Sequence, residues 1–96
     1  MIVFIATLNV ASGKEAEFER LQTELSEIAH VNEPGLMVYD VIRHAEKAGA
    51  YVVYARFKDQ QAFDFHQQAG FHQRLVPPIL DCLEGDMDLQ FFEWVS

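Results

Sequence analysis

Several things are scarce in this chain. There is a single cysteine, Cys82, so no internal disulfide forms and no multi-cysteine zinc cluster can be built. A lone free thiol reads as a small buried apolar residue before it reads as a nucleophile. Basic residues are few, seven Lys and Arg against fifteen Asp and Glu, for a formal charge of −8. Such a chain repels phosphate backbones, and no stretch gathers Lys or Arg into a stripe, which argues against nucleic acid as a partner. Long hydrophobic runs are missing too. The apolar start, Met1 to Ala6, has no basic leader and is cut by Thr7 and Asn9, well short of the ~20 residues that span a bilayer. No membrane partner is expected, and a cytoplasmic location is. No repeat, low-complexity tract or linker divides the chain. Half of its 96 residues are apolar, enough for one core, so residues 1–96 are expected to form one domain.

What is present is a succession of two periodicities. Ile2 to Val10 is β-rich and is stopped by Ser12-Gly13. Phe18, Leu21, Leu25 and Ile28 then recur at helical spacing, with acidic and basic residues on the other faces, which predicts an amphipathic helix to about Val31. Ser12 is the expected N-cap, with Glu15 completing a capping box. Pro34-Gly35 fits the centre of a type II turn. Leu36 to Arg43 and Tyr51 to Lys58 read as strands joined by a polar loop, His44 to Ala50. Asp59 is the expected N-cap of a helix through Ala62, Phe63 and His66, which Gly70 interrupts before a second stretch from Phe71. The stripe Phe71, Leu75, Ile79, Leu83 continues it, with a kink or restart expected at Pro77-Pro78. Gly85-Asp86 ends it, and Met87 to Val95 make the last strand.

The order β-α-β-β-α-β predicts an α+β, ferredoxin-like fold: a four-stranded antiparallel sheet with helices on one face. The last strand is apolar on both sides, with Met87, Leu89, Phe91 and Val95 on one and Phe92 and Trp94 on the other. The third strand repeats this, Tyr51, Val53 and Phe57 opposing Val52 and Tyr54. A sheet wetted on one face alternates apolar with polar, so a second cover is expected, and a homodimer with two sheets face to face, enclosing an apolar pocket per subunit, is its simplest form.

A Glu33-Pro34-Gly35 turn, a strand ending in charge, the Tyr/Val strand to Tyr54, the Asp59-capped helix bearing His66 and an aromatic C-terminal strand together resemble the antibiotic biosynthesis monooxygenases, including their quinol-monooxygenase branch, a dimeric α/β-barrel superfamily. The likeness spans essentially the whole chain. It implies oxidation of a small phenol or quinol by dioxygen in an apolar pocket, without metal, flavin or other cofactor, the protein supplying a base, positioning and desolvation. Two departures stand out. Many relatives carry glutamate after the third-strand tyrosine, where this chain has Ala55, and the usual His-Phe order is reversed as Phe71-His72. The haem-degrading branch fits poorly, with Phe57 at its tryptophan position and Leu75 at its ligand histidine.

Carried onto this chain, the resemblance makes His66 the candidate base, since an imidazole titrates near neutrality, against the plainer role of a locally bonded helix histidine. His72 is a second candidate. Asn9, sharing a strand face with Thr7 and Ile5, is a candidate polar anchor in the enclosed pocket, against a strand-end asparagine bonded to loop backbone. Tyr39 and Tyr51 could bind substrate through their phenols, and Phe57 and Phe91 could wall it, although ordinary packing accounts for each singly. His30 belongs at a helix C-terminus, and His44 at a solvated loop. No two histidines lie one helical turn apart, and the six-residue spacing of His66 and His72 puts them on different faces, so no metal site is expected. The alternatives left open are a non-catalytic module holding a small hydrophobic ligand or partner, and an oxygen-independent isomerase.

Overall fold

The computed structural model describes residues 1–96. Its elements are β1 (Ile2–Asn9), α1 (Glu15–Asn32), β2 (Leu36–Arg43), β3 (Ala50–Phe57), α2 (Gln60–Gln68), α3 (Gly70–Asp81) and β4 (Asp88–Phe92). The strands form one antiparallel sheet in the order β2-β3-β1-β4. This is the ferredoxin-like α+β arrangement, with two short helices filling the second helical position.

Register sorts the side chains. Phe4, Ala6 and Leu8 of β1 lie opposite Ala55, Val53 and Tyr51 of β3, and all six are buried under the helices. Phe18, Leu21 and Leu25 of α1 are buried against this face. Each such side chain contributes roughly 1.5–3 kcal/mol, so packing, rather than capping, holds α1. Its N-cap position is Lys14, with no side-chain cap. Ser12 therefore does not cap the helix. An Ala11–Lys14 turn intervenes, closed by a 3.0 Å bond from Lys14 N–H to the Ala11 carbonyl, with Gly13 at φ +86°. Only the acidic half of the expected box survives, Glu15 accepting from Gly13 N–H at 2.8 Å.

The Pro34-Gly35 turn also differs from expectation. It closes with Leu36 N–H donating to the Glu33 carbonyl at 3.1 Å, but Gly35 does not have positive φ, so the turn is not type II. Glycine is required there for another reason. A Cβ on Gly35 would stand 2.4 Å from Ala62 Cβ, because the turn is pressed onto α2. Just after it, Leu36 pairs with Phe57 and Val38 with Arg56, leaving Met37 as an extra residue in a bulge. Strict alternation from Leu36 would turn Tyr39 outward. The bulge turns it inward, opposite Ala55.

Asp59 caps α2 as expected, its carboxylate accepting from Ala62 N–H at 2.8 Å. The break between the helices falls at Ala69, which is extended at ψ 137°, and Gly70 opens α3 instead of interrupting it. Pro77 and Pro78 do not restart the helix, which runs unbroken to Asp81. The carbonyls they leave without donors belong to Gln73 and Arg74, both exposed, where water can satisfy them. Leu83 lies beyond the helix and bridges Val10 instead. The last strand is shorter than expected, Asp88–Phe92, and every residue of it is exposed. No helix is long and apolar enough to cross a membrane.

Candidate functional site

Between the sheet and α2–α3 lies a cavity of about 160 Å³. Phe4, Ala6, Leu8 and Val53 form its sheet wall and Val76 and Ile79 its helix wall, while exposed Leu80, Met87 and Leu89 mark its edge toward β4. A void of about 150 Å³ accepts benzene, so the space suits one aromatic ring and not a polycycle. Its polar lining is Gln22, Tyr39, His66, Gln67 and His72.

His66 is the centre of this lining. Its Nδ1 lies 2.8 and 3.1 Å from the two carboxylate oxygens of Glu33, and the side chains are 3 and 2% exposed. A carboxylate can only accept, so the pairing assigns the proton to Nδ1 and leaves Nε2 as the nitrogen available to a ligand. The imidazole is wedged by rings: Phe57 at 5.0 Å, Tyr39 at 5.7 Å and His72 at 4.5 Å between centroids. Glu33 reaches it because Pro34 ends α1. The residue before a proline is biased toward extended backbone, and Glu33 adopts φ −113°, ψ 95°.

The histidines face one another despite their six-residue spacing. Different faces would follow on one continuous helix, but the extended residue Ala69 redirects α3 and brings His72 back over His66. Burial, and then the neighbouring His66, push the His72 pKa down to about 4, so it is a neutral imidazole at neutral pH. Burial, and then the Glu33 charge, push the Tyr39 phenol up. Its hydroxyl stays protonated and donates to Gln22 Oε1 at 3.1 Å.

Of the residues singled out from sequence, His66, His72 and Tyr39 line the cavity together. Phe57 backs His66, and Phe91, half exposed, packs against Phe4 and Phe63 at 6.2 and 5.5 Å. Asn9 is not among them. It is exposed and shares its face with Thr7 and Ile5, the face opposite the helices, where a pocket between two facing sheets would lie. Tyr51 lies in a separate, open groove between α1 and β2, where its hydroxyl donates to Glu19, which also pairs with Arg43 at 3.0 Å. Burial, and then Glu19, raise the Tyr51 pKa. Tyr39 and Gln22 line both spaces and so form the wall between them. His30 Nδ1 is 2.7 Å from the Ser26 carbonyl in the last turn of α1, and His44 Nδ1 accepts from Glu46 and Lys47 N–H in the β2–β3 loop. No three His, Cys, Asp or Glu side chains converge as a metal-binding group.

Glu33 and Gln22 were not anticipated as site residues. Glu33 stood in view within the Glu-Pro-Gly turn, but its partner lies 33 residues away. Gln22 sits on the apolar stripe of α1, buried at 4% exposure, and an amide at a core-facing helical position is the signal that could have found it.

The family model for antibiotic biosynthesis monooxygenases matches residues 1–77. A candidate antibiotic biosynthesis monooxygenase from Caulobacter crescentus is similar in structure at TM-score 0.94 and 26% identity, over 99% of this chain and 90% of that one. A second crystal structure, described as an antibiotic biosynthesis monooxygenase, aligns over 100% of both chains at TM-score 0.90 and 25% identity. A candidate from Nitrosomonas europaea aligns over 100% of both at TM-score 0.92 and 19% identity, a likeness of fold. Among curated proteins, no match reaches significance.

Proposed function

The chain belongs to the antibiotic biosynthesis monooxygenase family, and from that premise we propose that it oxidises a single-ring phenol or hydroquinone with dioxygen, His66 taking the phenolic proton. The observation that carries this reading is a buried imidazole, oriented by Glu33, in the wall of an apolar cavity sized for one ring. Proton transfer to Nε2 creates a phenolate with little water around it, and a desolvated anion gives up electrons to dioxygen more readily than the neutral ring. One oxygen atom enters the ring and the other leaves as water, a hydroquinone becoming a hydroxyquinone. The quinol supplies every electron, so the reaction in this form calls on no metal or flavin. His72, neutral and beside His66, donates a hydrogen bond to a ring oxygen, and Tyr39 and Phe57 fix the imidazole between them.

The open face of the sheet supports a homodimer as the working unit. It carries Ile42, Phe92 and Trp94, which are 56, 45 and 42% exposed, beside half-buried Ile5, Val52 and Tyr54. The Arg56 guanidinium lies 4.0 Å over the Trp94 ring, and its buried Nε has no partner. Asn9 enters the proposal on this face, as a polar anchor in a pocket between the facing sheets. A free, buried Cys82 suits the reducing cytoplasm. A second reading, a non-catalytic module for a small hydrophobic ligand, draws support from Ala55: it is fully buried on the cavity side of the sheet, so this chain lacks the carboxylate that many relatives place there.

The test is dissolved-oxygen consumption by metal-stripped protein with hydroquinone, methylhydroquinone and a three-ring phenol, autoxidation subtracted. Saturable consumption of the one-ring substrates, lost in His66→Gln, is expected. Turnover of the three-ring phenol alone, or an unchanged His66→Gln variant, would overturn the assignment.

A further inference from the structure

The cavity beside His66 is closed differently on its two sides. The strand order places β4 and β2 at opposite edges of the sheet. Toward β4 the lining residues Leu80, Met87 and Leu89 are exposed, so this side is the mouth. Toward β2 the lining is Gln22 and Tyr39, both buried. Behind them lies the open groove between α1 and β2, about 900 Å³, with Glu19, Ser26 and Asp40 in its walls. Gln22 and Tyr39 are the only residues that line both spaces, so one pair of side chains is the whole partition. Gln22 accepts from the Tyr39 hydroxyl at 3.1 Å, and an amide is a costly filler for a stripe whose neighbours Phe18, Leu21 and Leu25 are apolar. The Tyr39 ring also flanks His66, at 5.7 Å between centroids. Gln22 makes no contact of that kind, so its size can change without unseating the imidazole.

We propose that Gln22 is the specificity-determining residue that limits this cavity to a single ring, its side chain being the end wall against which the substrate stops; this rests on the reading of the cavity as the substrate site. Gln22→Ala removes Cγ, Cδ, Oε1 and Nε2, and a second fused ring adds as many carbons to phenol. The vacated space runs on into the groove, so a two-ring phenol gains room with the sheet, α2 and α3 left in place. Water from the groove can then accept from the Tyr39 hydroxyl. Gln22→Leu loses the same hydrogen bond but keeps nearly the same bulk, so the difference between the two variants isolates the wall from the bond.

The test is binding of phenol and of 2-naphthol by calorimetry under nitrogen, with competition between the two to place them at one site and urea midpoints to show that each variant is folded. Wild type and Gln22→Leu are expected to bind phenol and to discriminate against 2-naphthol. Gln22→Ala is expected to bind 2-naphthol at least about tenfold more tightly than wild type does, a gain in keeping with burial of a second ring. Gln22→Ser, a second small side chain, is expected to do the same. Equal binding of 2-naphthol by wild type and the folded Ala and Ser variants, or a gain in Gln22→Leu as large as that in Gln22→Ala, would overturn the assignment. No turnover enters this measurement. A wild type that binds phenol, discriminates against 2-naphthol and consumes no oxygen with hydroquinones would therefore sink the monooxygenase reading and leave the size limit standing, whereas a wild type that binds neither would overturn the size limit too.

Discussion

Removing His66 should cost more stability than removing Glu33, and removing both should cost less than removing His66 alone. The two side chains are 3 and 2% exposed and bonded at 2.8 Å. His66→Leu leaves a carboxylate buried without its only side-chain partner. Breaking a buried pair in this way costs about 3–5 kcal/mol. Glu33→Ala leaves an uncharged imidazole, so the cost reduces to an unpaired N–H and lost packing, about 1–3 kcal/mol. Glu33→Gln keeps an acceptor and should cost under about 1 kcal/mol. In a chain of this size each 1 kcal/mol moves Tm by about 4–8 °C, so the single variants are well resolved. Urea denaturation at pH 7 and one fixed protein concentration, followed by far-UV circular dichroism, gives each value. In the double variant Glu33→Ala/His66→Leu no buried charge remains, and its stability should exceed that of His66→Leu. Strict additivity, or equal costs for Glu33→Gln and Glu33→Ala, would refute the argument that a dry, hydrogen-bonded pair holds this site together.

Gly35→Ala drives a methyl into Ala62 at 2.4 Å and should cost about 1–3 kcal/mol; Ala62→Gly in the same chain should recover most of it, as read by urea midpoints. Asp59→Ala removes the α2 cap and should cost about 1 kcal/mol, with Asp59→Asn close to wild type. The low pKa of His72 means that the unfolded chain binds this proton first. Its contribution to stability is therefore steady above pH 6.5, declines as the pH falls toward about 4 and is then fully lost. His72→Gln should flatten that part of the stability–pH curve, measured by urea titrations at pH 7, 5.5 and 4.5, and an unaltered slope would show that burial does not depress this imidazole.

Much of the architecture is legible from local pattern. The period of two along β3 predicts its two apolar sets, and Tyr51, Val53 and Phe57 do share the helix face while Val52 and Tyr54 share the other. The three- and four-residue spacing of Phe18, Leu21 and Leu25 predicts the stripe α1 buries. The Asp59 cap is legible because its acceptor and donor are three residues apart. Turn geometry is less so. A proline-glycine pair suits positive φ, but at Gly35 contact with α2 sets the need for glycine, and positive φ falls at Gly13, Gly49 and Gly85 instead.

The candidate site was assembled by tertiary structure from residues that the sequence displays separately. A histidine on the helix after Asp59 is visible at once, but the 33-residue link to Glu33 depends on how the end of α1 meets α2. His66 and His72 face each other only because Ala69 is extended. Tyr39 turns inward only because Met37 is bulged, and Asn9 is parted from His66 by the thickness of the sheet. The sequence by itself determined the strand and helix order, the helix-covered sheet face and the buried stripes, because those depend on repeats of two to four residues along one segment. Which polar groups meet in the cavity was decided only by the packed fold, because a single bulge or helix break redirects every side chain beyond it.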